Sequence, residues 1–309
     1  VLLAGGFGGA RMAHGFALLG DEAELTVVGN TGDDIELHGL HISPDLDTVM
    51  YTLAGLSNDE TGWGVRDETW STAEMLAAYG EPTWFRLGDR DLATHIVRTA
   101  RLRAGGRLTD VTGDLCRALG LTTVVLPMTD DPVRTKVRTD TGWLDFQDYF
   151  VRRRHADNVR EVRFEGVESA QATPEVVEAI EGATLILVAP SNPYVSVAPI
   201  LAVPGILDAL RRSRAPKIAI SPIVGGAALR GPAAQMMSTL GGTPTAAGIA
   251  AFFAERYPGL VDTLVIDRTD AAAVPEIAGQ GMQAMTAEIV IADPEKRLSL
   301  AQAVLSFSG

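Results

Sequence analysis

"VLLAGGFGGARMAHGF", Val1 to Phe16, is the stretch whose reading decides the fold. The apolar run VLLA reads as a short strand, and a helical pattern follows from Gly9 to Leu19. Gly5, Gly6, Gly8 and Gly9 lie between them. Glycines placed there let backbone N–H groups approach a phosphate, and the helix N-terminus adds positive potential. Arg11 can supply a charged donor. The dinucleotide fingerprint GxGxxG is not met: counted from Gly6, Gly8 fits the second position but Arg11 occupies the third. No Gly-Lys-Ser/Thr follows, so the loop is not a Walker A motif either. A tight strand-to-helix turn accounts for the same glycines.

Outward from this unit, apolar β-rich runs alternate with helical patterns. The runs are VLLA, ELTVVG, TTVVLP, TLILVA, KIAIS, TLVID and AEIVIA. Their continuous apolarity is that of strands covered on both faces by helices. The spacing predicts helices over 9–19, 43–56, 90–104, 111–119, 174–180, 196–212, 245–256 and 294–307. The expected architecture is a Rossmann-like, doubly wound, mostly parallel α/β sheet in one domain spanning 1–309. Alternation around the turn TDTG in VRTKVRTDTGWLDFQDYFVRRR, with VREVRFEGV beyond it, predicts a small antiparallel subdomain at about 127–167.

The chain has 309 residues, 46% hydrophobic and 21% charged, enough to bury a substantial core. Its formal charge of −13 argues against non-specific binding to nucleic acid or anionic membranes. A phosphorylated ligand therefore needs local compensation from a metal, an arginine or a helix N-terminus. One cysteine, Cys116, rules out an intrachain disulfide framework and fits a reducing cytoplasm. Its GDLCRALG context reads as helix packing. The five histidines lack HExxH spacing. No apolar run approaches a membrane span, VLLAGG is short for a signal peptide, and a start without methionine implies a few preceding residues.

VVGNTGDD ends the second strand, so Asn30, Asp33 and Asp34 should arrive beside the glycine loop, as turn residues or as contacts to a ribose, base or metal. In HISPDLDTVMYTLAG, Ser43 and Pro44 start a helix whose buried face is Leu46, Val49, Met50 and Leu53. Asp45 and Asp47 fall in its first turn, where acids also favour the helix dipole. About 200° separates them on an ideal helix, which allows two different roles. RLGDRDLATHI reads as a loop-to-helix junction in which Asp89 or Asp91 can cap the helix, and Arg90 either projects into a cleft or pairs with a neighbouring aspartate at the surface. His95 packs or caps. APSNPYVSVAPIL and SPIVGGAALRGPA each follow a strand, placing Ser191, Asn192, Ser221 and Gly225 where guanosine and phosphate contacts or plain turns are both expected. Asp130 and Asp131, before Pro132, read as turn acids, and Arg152–Arg154 as a solvated run that can face an anion.

Taken together, GGFGGAR, NTGDD, HISPDLDTVMY, RLGDRDLATHI, LPMTDDPVRT, FQDYFVRR, APSNPYVSVAPIL and SPIVGGAALRGPA resemble the CofD/FbiA family over nearly the whole chain. The resemblance implies transfer of a 2-phospho-L-lactyl or phosphoenolpyruvyl group from a guanosine diphosphate-linked donor. The acceptor is the ribityl hydroxyl of the deazaflavin Fo, in coenzyme F-420 biosynthesis, with GMP released and Mg²⁺ used. It also implies Fo contacts at Asp47 and Arg90, and a homodimer. In such a site Asp45 is the expected Mg²⁺ ligand, and Asp47 the group that binds the attacking hydroxyl and accepts its proton. Gly5, Gly6, Gly8, Gly9, Arg11, Asn30, Ser191, Asn192, Ser221 and Gly225 are the expected nucleotide and phosphate contacts. High Ala, Gly and Arg usage favours enolpyruvate over lactate. The rivals are a non-catalytic nucleotide or nucleotide-sugar regulator with the same loop, and an NAD-dependent oxidoreductase, which the broken fingerprint disfavours.

Overall fold

The computed structural model describes residues 1–58 and 60–308. Strand β1 (Leu2–Ala4) enters α1 (Gly6–Ala17), and β2 (Thr26–Gly29) follows. A hairpin of β3 (Ile35–Leu37) and β4 (Leu40–Ile42) then leads into α2 (Pro44–Leu53). Next come α3 (Ser71–Ala78), α4 (Asp89–Arg103), α5 (Leu108–Ala118) and β5 (Val124–Pro127). Strands β6 (Arg134–Thr139), β7 (Gly142–Asp145) and β8 (Glu161–Glu165) form a separate antiparallel sheet, with one π-helical turn at Asp148–Arg152. The rest is α6 (Pro174–Gly182), β9 (Ile186–Val188), α7 (Ala198–Ala202), α8 (Ile206–Arg212), β10 (Lys217–Ile220) and the short pair β11 (Ile223–Val224) and β12 (Ala227–Ala228). Helices α9 (Ala233–Thr239) and α10 (Ala246–Arg256), β13 (Thr263–Asp267), α11 (Val274–Gly279), β14 (Gln283–Ala287) and α12 (Pro294–Ser308) complete it.

Seven strands make one parallel sheet in the order β14-β13-β10-β9-β1-β2-β5. This is the Rossmann-like α/β architecture that the continuous apolar strands predict. Pleating divides the strand side chains between two cores. Leu3, Val28, Ile186, Val188, Ala219, Leu264 and Ile266 pack with α6, α8 and α10. Leu2, Ala4, Val27, Leu187, Ile218, Ile220 and Val265 pack with α1, α2 and α12. At about 25 cal/mol per Å² of buried apolar surface, both faces contribute to holding the sheet. Val137, Tyr149 and Val159 of the antiparallel region join the first core.

Three local readings change. The helix expected over 196–212 is broken: a π-helical turn at Pro193–Val197 runs into α7, and α8 starts afresh at an 82° bend. Pro204 lacks an N–H, and Gly205 adopts φ +96°, so helical hydrogen bonding stops there. AEIVIA is not the last strand. Register against β13 runs from Thr263–Gln283 to Asp267–Ala287, and beyond Asp267 no partner remains. Ile289 and Ile291 instead bury in the second core. Finally, Asp89 does not cap α4. It accepts from Ser71 N (3.0 Å) and Thr72 N (2.9 Å) at the start of α3, while Glu68 accepts from Arg90 N (2.7 Å) and Asp91 N (3.0 Å) at the start of α4. Gly88, the residue before α4, has no side chain to do so, and the crossed caps tie the two helices together.

Among the described residues no single helix is long and apolar enough to cross a membrane. The bent pair at 193–212 has a suitable composition, but Ile200, Leu201, Ile206 and Leu210 are interior.

Candidate active site

Parallel strands point their carboxyl ends to one edge of the sheet, and loops leaving that edge enclose ligands. Here the loops after β1, β2 and β9, with the first turns of α2 and α4, line a cavity of about 880 Å³. The glycine loop packs closely against its neighbours. A Cβ on Gly5 would stand 2.8 Å from Asp45 Oδ2 and 2.7 Å from Ser196 Cβ, and one on Gly8 would stand 2.3 Å from the Pro190 carbonyl oxygen. Only hydrogen at these positions lets the backbone face the cavity at that distance.

Gly5, Gly6, Gly8, Arg11, Ser191 and Asn192 line the cavity, as do Asp45 and Asp47. Gly9 does not; it packs on Ala4 of β1. Ser191 donates its hydroxyl to the Gly5 carbonyl (2.7 Å), and Asn192 Oδ1 accepts from Tyr194 N (3.0 Å), so both also brace the loops. Asn30 sits beneath the lining: its Nδ2 donates to Asp45 Oδ2 (2.9 Å) and the Val195 carbonyl (3.3 Å), while Oδ1 accepts from Gly32 N (2.8 Å).

Other expected contacts lie elsewhere. Arg90 is exposed, donates to the Arg66 carbonyl (2.8 Å), and is not among the lining residues. Ser221 is buried in its own turn, donating to Ile223 O (2.9 Å) and accepting from Ile223 N (3.1 Å). Gly225 is exposed and donates its N–H to Asp270 (3.0 Å). From that segment Pro222 and Leu229 to Pro232 reach the cavity instead. Asp130 and Asp131 do not serve their own turn: Asp130 accepts from Thr109 N (2.7 Å) in the first turn of α5, and Asp131 from Gln171 N (2.9 Å).

Two buried acid groups form the floor. Asp33 and Asp45 are close neighbours, with Asp34 near both. Burial is the main force raising both carboxyls, Asp33 well above its ordinary range and Asp45 to about 6, and Asp34 adds repulsion. Asn30 and the Gly6 N–H oppose the rise at Asp45, so a shared proton favours Asp33. Asp33 Oδ1 is buried and has no hydrogen-bond partner among the described residues. Asp34 is fastened by Ser43 Oγ (2.9 Å) and His41 Nε2 (3.0 Å). Ser43 therefore spends its hydroxyl on Asp34 and makes no capping bond to α2.

Asp47 faces a different partner. Arg98, fully buried, donates from Nη1 to Asp47 Oδ2 (3.0 Å) and from Nη2 to Oδ1. Burial disfavours the guanidinium charge, yet Asp47 outweighs it and keeps Arg98 cationic. His95 lies between two acids, its Nε2 3.2 Å from Asp91 Oδ1 and its Nδ1 3.7 Å from Asp47 Oδ2. Tyr51 donates to Asp91 (2.8 Å), and burial with the nearby acids keeps its hydroxyl protonated. Sequence reasoning missed Arg98. Its signal was periodicity: Asp91, His95 and Arg98 fall at i, i+4 and i+7 on the inward face of α4, where apolar residues are expected.

The cavity's wider lining is aromatic and basic: Trp63, Trp84, Phe85 and Phe150 with Arg86 and Arg154. Phe146 and Phe150 stack at 5.4 Å, and Phe150 stacks on His155 at 5.6 Å. Flat apolar walls beside polar groups suit a planar ring system carrying a polar chain.

Comparison with known proteins gives a consistent picture. A family model described as 2-phospho-L-lactate transferase CofD matches residues 1–305. The phosphoenolpyruvate transferase of Streptomyces griseus is 44% identical over 313 residues, covering all of this chain and 98% of that protein. That of Mycolicibacterium smegmatis is 42% identical over 325 residues, with the same coverage of each. A UPF0052-family protein of Bacillus halodurans has TM-score 0.68 over 98% of this chain and 97% of its own, at 15% identity, a likeness of fold alone.

Proposed function

This chain belongs to the CofD family of transferases, and from that premise we propose that it moves a phosphoenolpyruvyl group from a guanosine diphosphate-linked donor onto Fo. The ribityl hydroxyl oxygen of Fo forms a bond to the outer phosphorus. The bond from that phosphorus to the bridging oxygen breaks, GMP leaves, and the hydroxyl proton passes to the enzyme. Enolpyruvate is preferred to lactate because the relatives at 44% and 42% identity are named for it.

One observation carries the reading: a close-packed glycine loop and a buried acid pair share the cavity with a third acid fixed by its own arginine. Transfer of this kind needs positioning and charge stabilisation more than covalent help. Gly5, Gly6 and Gly8 present the loop to the diphosphate. Asp47, both oxygens oriented by Arg98, receives the hydroxyl as a hydrogen-bond donor and directs its oxygen. The aromatic wall holds the deazaflavin.

Mg²⁺ fits this floor. Asp33 and Asp45 supply two adjacent carboxylates, and Asp33 Oδ1 has no hydrogen-bond partner among the described residues. No group of three or more His, Cys, Asp or Glu able to hold a metal occurs among the described residues. That suits an ion that binds one or two carboxylates and completes its shell with water and substrate phosphate. Bound there, it neutralises diphosphate charge that grows on the leaving oxygen. The same reading takes the protein as a cytoplasmic homodimer, which sedimentation of the purified chain would test.

The deciding experiment is incubation with Fo, Mg²⁺ and each guanosine diphosphate-linked donor separately, with products identified by mass spectrometry. A phosphodiester of Fo together with GMP is expected, faster with enolpyruvate. No product from either donor would remove the assignment.

A further inference from the structure

The segment after β10 reaches the cavity through Leu229 to Pro232, a part of the lining that the proposed function leaves unused. Its cation, Arg230, has a definite place. The guanidinium carbon lies 4.2 Å from the centroid of the Phe7 ring, and that of Arg11 lies 3.9 Å from the same centroid. Both guanidinium groups therefore stack against the one ring. Phe7 sits between Gly6 and Gly8, within the glycine loop itself. Arg230 also donates to the Thr61 carbonyl, which ties the loop at 60–64 to the same spot. Within this lining Arg11 and Arg230 thus meet on Phe7, apart from Arg86 and Arg154.

We propose that Arg230, stacked on the Phe7 ring that Arg11 also contacts, forms a subsite for the free carboxylate of the donor's lactate or enolpyruvate end. The inference rests on the guanosine diphosphate-linked donor of the preceding section and names the group that reads its far end. The glycine loop and the acid pair account for the diphosphate, which leaves the donor's remaining anion, a carboxylate, to be matched. A guanidinium offers a planar fork of N–H donors that pairs with a carboxylate through two bonds. Stacking on an aromatic face fixes the plane of that fork, and with Nη2 donating to the Thr61 carbonyl the remaining N–H groups are those offered to a carboxylate. Because the supporting ring belongs to the phosphate-binding loop, the carboxylate site stands at a set offset from the diphosphate. That offset is what selects a short acid over an uncharged ester.

Two probes isolate the carboxylate: the lactyl ester of guanosine diphosphate, and its ethyl ester, which lacks only that group. Their affinities are measured by titration calorimetry in Mg²⁺ for the wild-type protein, Arg230→Gln and Phe7→Leu. The wild type should prefer the lactyl ester. Arg230→Gln should lose roughly 10- to 100-fold in lactyl-ester affinity, the weight of a charge-assisted hydrogen bond, with the ethyl ester unaffected. Phe7→Leu should lose part of the same preference by freeing the guanidinium plane. Equal losses for both esters would overturn the subsite and make Arg230 a diphosphate contact, and no loss in either variant would overturn it as well. A wild-type protein that binds neither ester would reject the donor reading and the subsite with it, a result distinct from the other two.

Discussion

Replacing Asp45 with asparagine removes one charge from the cavity floor and keeps an oxygen to accept from Asn30. In the folded chain the Asp45 carboxyl is raised from 3.8 to about 6, chiefly by burial. At ~1.4 kcal/mol per tenfold change, this is about 3 kcal/mol of preference for the protonated form. The folded value exceeds the unfolded one, so the native state binds more protons between about pH 4 and pH 6. Stability without metal therefore falls as pH rises through that window and stays low above it. Asp45→Asn should remove this part of the slope and leave the part due to Asp33, making the variant more stable than wild type by up to about 3 kcal/mol at pH 8 and similar at pH 4. For a chain of this size that is on the order of 6 °C in the thermal midpoint. Mg²⁺ should nearly close that gap: at 100 times its dissociation constant it adds about 2.7 kcal/mol to the wild type at pH 8, little at pH 5, and little to Asp45→Asn at either. Urea unfolding across pH 4–8, in chelator and in Mg²⁺, measures all of these. Parallel pH profiles for the two proteins, or an equal Mg²⁺ gain in both, would refute the reasoning.

Two further outcomes follow from buried groups. Arg98→Met leaves the Asp47 carboxylate buried without its partner and should destabilise by about 3–5 kcal/mol in urea unfolding, while the double variant Asp47→Leu/Arg98→Met should recover much of that loss; a single variant as stable as wild type would mean that Asp47 is solvated. Burial pushes the Cys116 thiol up to about 11, so it should resist alkylation in the native protein at pH 8 and react promptly once urea unfolds the chain.

The acid wall shows where sequence reasoning stops. Asp45 and Asp47 are visible as first-turn acids, but their partners come from β2's end and from α4, far along the chain. Asp91, His95 and Arg98 break the apolar pattern of α4, and only their mutual pairing explains why a buried face tolerates them. Serine and glycine in SPIVGGAALRGPA look equally fit to touch a ligand. The turn consumes Ser221, Gly225 goes to Asp270, and Arg230 reaches the cavity.

The sequence by itself determined what depends on neighbours along the chain. Continuous apolar runs marked six of the seven parallel strands, and periodic faces marked α1, α2, α4, α5, α6, α10 and α12, because burial of a strand or a helix face is set by local spacing. Alternation around TDTG likewise marked the antiparallel pair of β6 and β7. Tertiary structure alone decided the strand order, the end of the sheet at β14, the break between α7 and α8, and the exchange of caps between Glu68 and Asp89. It also decided which charges share the cavity floor. Those outcomes depend on hydrogen bonds and Coulomb interactions between residues tens to hundreds of positions apart, and such interactions fall off over a few ångströms, so they exist only once the chain has packed.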